Sequence, residues 1–198
     1  CYGGYPGTGA SVSVFEIDAN GARAALIEHA VTDAHGAYQI VNPEYEGAIE
    51  VSATGGSFTD PATGLTLSLR ANQELVADLS NVVQGVAAVA NVNAWTTLAS
   101  ARAHATSAQS PSFSAAIDFN ENLFASHLLR PGSLSLTSSA SSDLLTQTPA
   151  PSDSAAILAL GHAGLSRLAA QASLDAGGAA GQVTLLDVIL ADTTSLTS

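Results

Sequence analysis

The chain has 198 residues, 46% of them hydrophobic, and carries 17 acidic against 5 basic residues for a net charge of −12. All the bases are Arg (Arg23, Arg70, Arg102, Arg130 and Arg167), and so acidic a surface repels phosphate, which argues against DNA, RNA and polybasic contact with anionic lipid. A mean hydropathy of +0.27 is too high for a disordered chain, and no apolar run approaches the ~20 residues of a membrane span. The single cysteine, Cys1, leaves no internal disulfide framework and no multi-cysteine zinc site.

From residue 10 to about residue 79 the pattern is of strands and turns. Ser11-Val12-Ser13-Val14-Phe15-Glu16-Ile17 alternates polar and apolar, and Asp18-Ala19-Asn20-Gly21 closes it with turn chemistry, which predicts a hairpin. A second turn, Thr32-Asp33-Ala34-His35-Gly36, leads into a predicted strand at Ala37-Tyr38-Gln39-Ile40-Val41, and a further strand follows at Ala48-Ile49-Glu50-Val51-Ser52-Ala53. Residues 55–64 form a loop or hairpin, after which Leu65-Thr66-Leu67-Ser68-Leu69-Arg70 alternates again. Strands at this spacing suggest a small sandwich.

From Asn91 the period becomes helical. Asn93 caps a first helix through Trp95, Leu98, Ala101, Arg102 and Ala105, and Ser112 caps a second in which Phe113, Ile117, Phe124 and Leu128 share a face. Arg130-Pro131-Gly132 ends the second helix, and residues 133–152, rich in Ser and Thr, read as a surface loop. Residues 154–174 give the strongest helix, with Ile157, Leu160, Gly161, Gly164, Leu165 and Leu168 on one arc. The two glycines keep that arc low enough for another helix to approach. After the break at residues 175–181, Thr184-Leu185-Leu186-Asp187 has the form of a capping box for a last short helix through Leu190. The expected fold is segregated α+β: an antiparallel β-sandwich over residues 10–90, then a C-terminal α-helical bundle over residues 91–198, with residues 1–9 as a tether.

Several stretches carry resemblances. Val31-Thr32-Asp33-Ala34-His35-Gly36-Ala37-Tyr38-Gln39-Ile40 resembles the T-D-x-x-G-x-Y-x-[FIV] signature of carboxypeptidase-regulatory-like and collagen-adhesin B-type β-sandwiches. The resemblance implies that Asp33 and Gly36 make the turn and that Tyr38 enters the core. That family's opening G-x-V-x-G strand is missing, which leaves one sheet edge open unless another chain or segment covers it. Asn91-Val92-Asn93-Ala94-Trp95-Thr96-Thr97-Leu98-Ala99 and Ile157-Leu158-Ala159-Leu160-Gly161-His162-Ala163-Gly164-Leu165-Ser166-Arg167-Leu168-Ala169 resemble two helices of an exported bacterial helical domain. Leu185-Leu186-Asp187-Val188-Ile189-Leu190-Ala191-Asp192 resembles its closing segment, without the D-G that usually follows. Members of that group are mostly surface or periplasmic lipoproteins of unassigned role.

A chain that starts at Cys also resembles a lipoprotein cleaved by signal peptidase II. The resemblance implies a lipidated Cys1, whose two or more acyl chains would hold the membrane stably. Tyr2, in place of Asp, agrees with export to the outer membrane, so the expected location is the bacterial cell envelope, surface-exposed or periplasm-facing.

No pattern of catalysis emerges. There is no Gly-x-Ser-x-Gly, and Ser166 lies within a predicted helix as a polar surface residue. His29, His35, His104, His127 and His162 never occur as His-x-His or His-x-x-x-His, so no metal-ligand set is assigned and solvated or capping roles are expected. The turns at residues 18–21 and 60–64 lack the ligand density of a calcium loop. Glu44, Glu46 and Glu50 form the one local acidic cluster, read as a solvated strand face, and Trp95 is expected to pin the first helix to the core or to the sandwich. There is no phosphate loop. With no catalytic, cofactor-binding or metal residue assigned, the expectation is a non-enzymatic envelope lipoprotein. Its role would be structural or adhesive, self-associating or joining another envelope protein. The alternative is an accessory lipoprotein that takes a small ligand or peptide between sandwich and helices.

Overall fold

Side chains that alternate between the two faces of a strand decide where the sheet is buried. The computed structural model describes residues 7–41, 44–60, 63–70, 72–129, 135–139 and 154–175. Its strands are β1 (Thr8–Ile17), β2 (Arg23–Val31), β3 (Gly47–Thr59), β4 (Thr66–Ser68) and β5 (Glu74–Val82). The helices are α1 (Ala94–Thr106), α2 (Phe113–Leu129) and α3 (Ser154–Asp175), with a short 3-10 turn at Ser107–Gln109. One face of the sheet presents Ala10, Val12 and Val14 of β1, Ile49, Val51 and Ala53 of β3, and Leu75 and Ala77 of β5, all buried. The opposite face presents Ser11, Ser13 and Phe15, then Glu50 and Ser52, then Asp78.

The expected β-sandwich is corrected by this arrangement: the strands form one five-stranded antiparallel sheet. Its order is β2-β1-β3, and β3 is long enough to pair with β5 over Gly47–Thr54 and with β4 over Ser57–Thr59. A sandwich needs a second sheet to cover the apolar face. Here the strand expected at residues 37–41 joins no ladder, and that extended segment with a second one at residues 83–92 lies over the face. The β1–β2 hairpin forms as expected. Asp18 Oδ1 accepts the N–H groups of Asn20 and Ala22, both at 2.8 Å, and these bonds hold the carboxyl below its ordinary pKa. Gly21 completes the turn at φ +84°, where a Cβ would lie 2.4 Å from the Phe113 ring, so only glycine fits both the backbone and the neighbour.

The expected C-terminal helical bundle is also corrected, because α1 and α2 are spent on the sheet, and α3 packs against α2 and the Trp95 ring of α1. The Thr97 hydroxyl accepts the Val76 N–H at 2.9 Å, and the Ser114 hydroxyl donates to Ser80 O at 3.0 Å, so α1 and α2 cover the edge of β5 away from β3. A single buried cluster runs from Val12 and Val51 through Trp95, Leu98 and Ala125 to Leu158. α1 starts where its cap was expected: Asn93 Oδ1 accepts the N–H groups of Trp95 (2.9 Å) and Thr96 (3.1 Å), and Thr96 Oγ1 accepts the Asn93 N–H in return. Ser112 caps α2 through the Ala115 N–H.

α3 forms but faces differently from the expected arc. Leu158, Ala159, His162, Ser166, Ala169 and Ser173 are buried, whereas Leu160 and Leu168 are 58% and 60% exposed. A one-residue step around a helix is about 100°, and the turn follows from Trp95. A Cβ on Gly161 would sit 3.1 Å from the indole, while Gly164 has nothing near it, so the helix seats its small residues around that ring. Ser166 is therefore a core residue instead of the surface residue expected. Within the loop expected at 133–152, residues 135–139 are drawn inward. Leu136 is fully buried, and Glu121 Oε1 accepts from Ser135 Oγ at 2.8 Å and from Thr137 Oγ1 at 2.9 Å. The end of the segment read as the N-terminal tether is corrected: Thr8 and Gly9 open β1, with Thr8 opposite Ser57, and Thr32 Oγ1 donates to Gly7 O, while residues 1–6, the 130–132 break and the last short helix lie outside the described residues.

Candidate functional site

Two features of the sheet offer themselves to a partner, and a third is a buried polar cluster. The first is β2, which pairs only with β1 among the described residues. Thr32 N–H donates to Ala10 O at 2.9 Å, which sets the phase of the ladder. In the alternating antiparallel pattern, Ala30 and Glu28 then bond to Val12 and Val14, and the N–H and C=O of His29 and Val31 point away from the sheet. The Glu28 carboxylate accepts the outward N–H of His29 at 3.0 Å. β2 contains neither Lys nor Pro, the residues that commonly blunt an edge, and exposes Leu26 and Val31 by 55% and 64%.

The second feature is a groove of about 620 Å³ on the apolar face. Val14, Ile27, Ile49 and Val51 form its floor, and residues 35–41 and 85–92 its walls. The turn that begins the first wall is built as its motif implies. Asp33 Oδ1 accepts the N–H groups of His35 (2.8 Å) and Ala37 (2.9 Å), Gly36 takes φ +69°, and Tyr38 packs partly buried against the core. The Tyr38 hydroxyl donates to Ala90 O and so ties one wall to the other; burial pushes the phenol to about 12 and keeps it protonated. Among the described residues no Asp, Glu or Arg lines the groove, so its chemistry suits an uncharged apolar ligand.

The third feature lies on the polar face, where Phe15, Glu50 and Asp78 are cross-strand neighbours. Arg23 Nη2 pairs with Glu50 Oε1 and, at 2.8 Å, with Glu74 Oε1, while its guanidinium sits 4.6 Å above the Phe15 ring. Ser52 Oγ donates to the same Glu74 oxygen. Asp78 is 4% exposed, and neither of its oxygens has a hydrogen-bond partner among the described residues. Burial pushes its carboxyl up to about 7, and the Ser100 hydroxyl offsets part of the effect. Burial likewise raises Glu50, against the pull of Arg23. From α1, His104 Nε2 stands 3.8 Å from Asp78 Oδ2 and 3.9 Å from Glu50 Oε2. Burial and then the Arg23 charge lower its pKa, which leaves the ring neutral at pH 7, tilted against Phe113 at 4.7 Å between centroids.

His29, His35, His104 and His127 reach solvent, but His162 is fully buried and neither ring nitrogen has a partner among the described residues, which corrects its expected solvated role. Glu44 and Glu46 are exposed, whereas Glu50, read with them as solvated, is 5% exposed. The carboxylates of Asp18 and Asp60 are engaged by their own turns. Cys1, the expected lipidation site, lies outside the described residues, and no described helix is long and apolar enough to cross a membrane. Comparison of the chain with protein-family models, curated proteins and solved structures returned no match.

Proposed function

We propose that the chain is a non-catalytic assembly protein of the bacterial cell envelope, joined to a second copy of itself by strand addition along β2. The observation that carries this reading is the outward edge of β2, nine residues long, with exposed Leu26 and Val31 and without Lys or Pro. Main-chain hydrogen bonds from the outward N–H and C=O of Val31 and the C=O of His29 would supply the attraction, joined by the His29 N–H once the Glu28 carboxylate releases it, and alternate side chains the register. Closed pairing of two identical edges is the simplest symmetric solution and satisfies both at once.

Sedimentation velocity on the wild type and two variants tests the reading. His29→Pro removes an outward N–H that β1 does not use, and Val31→Lys places a charge on the edge. The wild type is expected to pass from a 19.8 kDa monomer to a dimer as concentration rises, while both variants stay monomeric with unchanged circular dichroism. A wild type that remains monomeric at its solubility limit, or variants that associate as it does, would overturn the assignment.

The envelope setting rests on the motif resemblances of residues 31–40, 91–99 and 157–169.

A further inference from the structure

On the face of the sheet opposite the groove, three potential ligands come from three different elements: Glu50 from β3, Asp78 from β5 and His104 from α1. One donor atom of each lies within 4.8 Å of the others. We propose that these residues bind a divalent first-row transition ion, with Zn²⁺ as the reference case, and that the ion fastens α1 to the sheet.

The independent sign is Asp78. Its side chain is 2% exposed, faces the His104 imidazole, and has no hydrogen-bond partner for either oxygen among the described residues. A buried carboxylate left in that condition costs free energy unless it takes up a proton or a cation completes it. Arg23 is not that cation, because its ion pairs are with Glu50 Oε1 and Glu74 Oε1. Arg23 takes one oxygen of Glu50 and leaves Oε2 towards His104, as an outer-shell partner orients a ligating carboxylate.

Charge and size agree. The Arg23 and Glu74 charges cancel, so Glu50 and Asp78 would balance a dication, with neutral imidazole as the third ligand. Around a tetrahedral ion with bonds of about 2.1 Å the donors stand roughly 3.4 Å apart. The 3.8 and 3.9 Å from His104 Nε2, within a set whose donors all lie within 4.8 Å of one another, close to that spacing by side-chain rotation. An imidazole with two carboxylates suits Zn²⁺, Mn²⁺ or Fe²⁺ better than Ca²⁺ or Mg²⁺. His104, its side chain 40% exposed, gives the ion its way in and leaves a remaining position to water.

Calorimetric titration of chelator-treated full-length protein with Zn²⁺ tests the site, with Co²⁺ absorption as a report on the ligand set. The expected result is one equivalent bound and a raised melting temperature, with affinity at least roughly tenfold weaker in His104→Ala and Asp78→Asn. His35→Ala, which removes another exposed histidine, should bind like the wild type. His104 is partly exposed, so that variant folds even if Asp78→Asn does not, and a metal-free melt checks both. Absence of binding by the wild type, or equal affinity in His104→Ala, would overturn the proposal; loss in His35→Ala alone would assign the ion to surface histidine.

Discussion

Replacing His162 with Leu is expected to remove most of a stability loss that the wild type suffers in acid. His162 is fully exposed to the core and not at all to solvent, with no partner for either nitrogen among the described residues, and burial pushes its pKa down to about 3. In the unfolded chain the same ring titrates near 6.5. As pH falls from 6.5 towards 3, the unfolded state binds a proton that the native state refuses, and stability drains away by on the order of 4 kcal/mol. Asp78 works in the opposite sense: its raised pKa keeps a proton on the native state between about pH 4 and 7, so that contribution grows as pH falls. Asp78 is present in both proteins, so the difference between the two urea-unfolding profiles isolates His162. At pH 7 His162→Leu should be at least as stable as the wild type, because an unpartnered polar ring gives way to an apolar side chain. Parallel profiles, or a large loss at pH 7, would show that the ring is hydrogen-bonded after all.

The second large effect is expected at Trp95. The indole is 8% exposed, belongs to the cluster that joins sheet to helices, lies against Gly161, and stands 6.2 Å from the His162 ring at a tilt of 31°. Trp95→Ala should cost about 3–5 kcal/mol, since α3 and β-sheet residues cannot both collapse into the space left. Trp95→Phe should recover part of that by refilling the site. Denaturant unfolding followed by circular dichroism reads both; a loss under about 1 kcal/mol for the alanine variant would mean that the ring is peripheral.

Local chemistry was legible where it is self-contained. Asn93 with Thr96 announces the start of α1, Asp18 with Gly21 the first hairpin, and Asp33 with Gly36 the second turn; each motif closes its own hydrogen bonds within a few residues. What depends on distant packing was not. Residues 37–41 alternate like a strand, yet they lie over the sheet as a groove wall, and nothing local says whether an alternating segment finds a ladder partner. The small residues of α3 fix its buried face only once Trp95 is placed beside Gly161, so the leucines at 160 and 168 misdirected the reading.

The polar cluster was half legible. Period-two alternation already assigns Glu50 and Ser52 to the face opposite Val51, and Asp78 to the face opposite Ala77. That His104 from a helix would cover that face is a tertiary fact, and the histidine spacing holds no trace of it. The open edge fared similarly. A missing opening strand pointed to an unpaired edge, and among the described residues β2 is an edge strand whose outward groups are those of His29 and Val31.

Amide hydrogen exchange resolved at Val31, compared between dilute and concentrated protein, tests assembly through β2 most directly. In dilute solution the Val31 amide should exchange fast while Ala30 and Glu28, bonded to β1, exchange slowly. On concentration Val31 should become protected along with His29, as a second copy pairs with the edge. A Val31 amide protected at every concentration would mean that the edge is already covered within one chain, and one that stays fast while the protein associates would place the interface elsewhere.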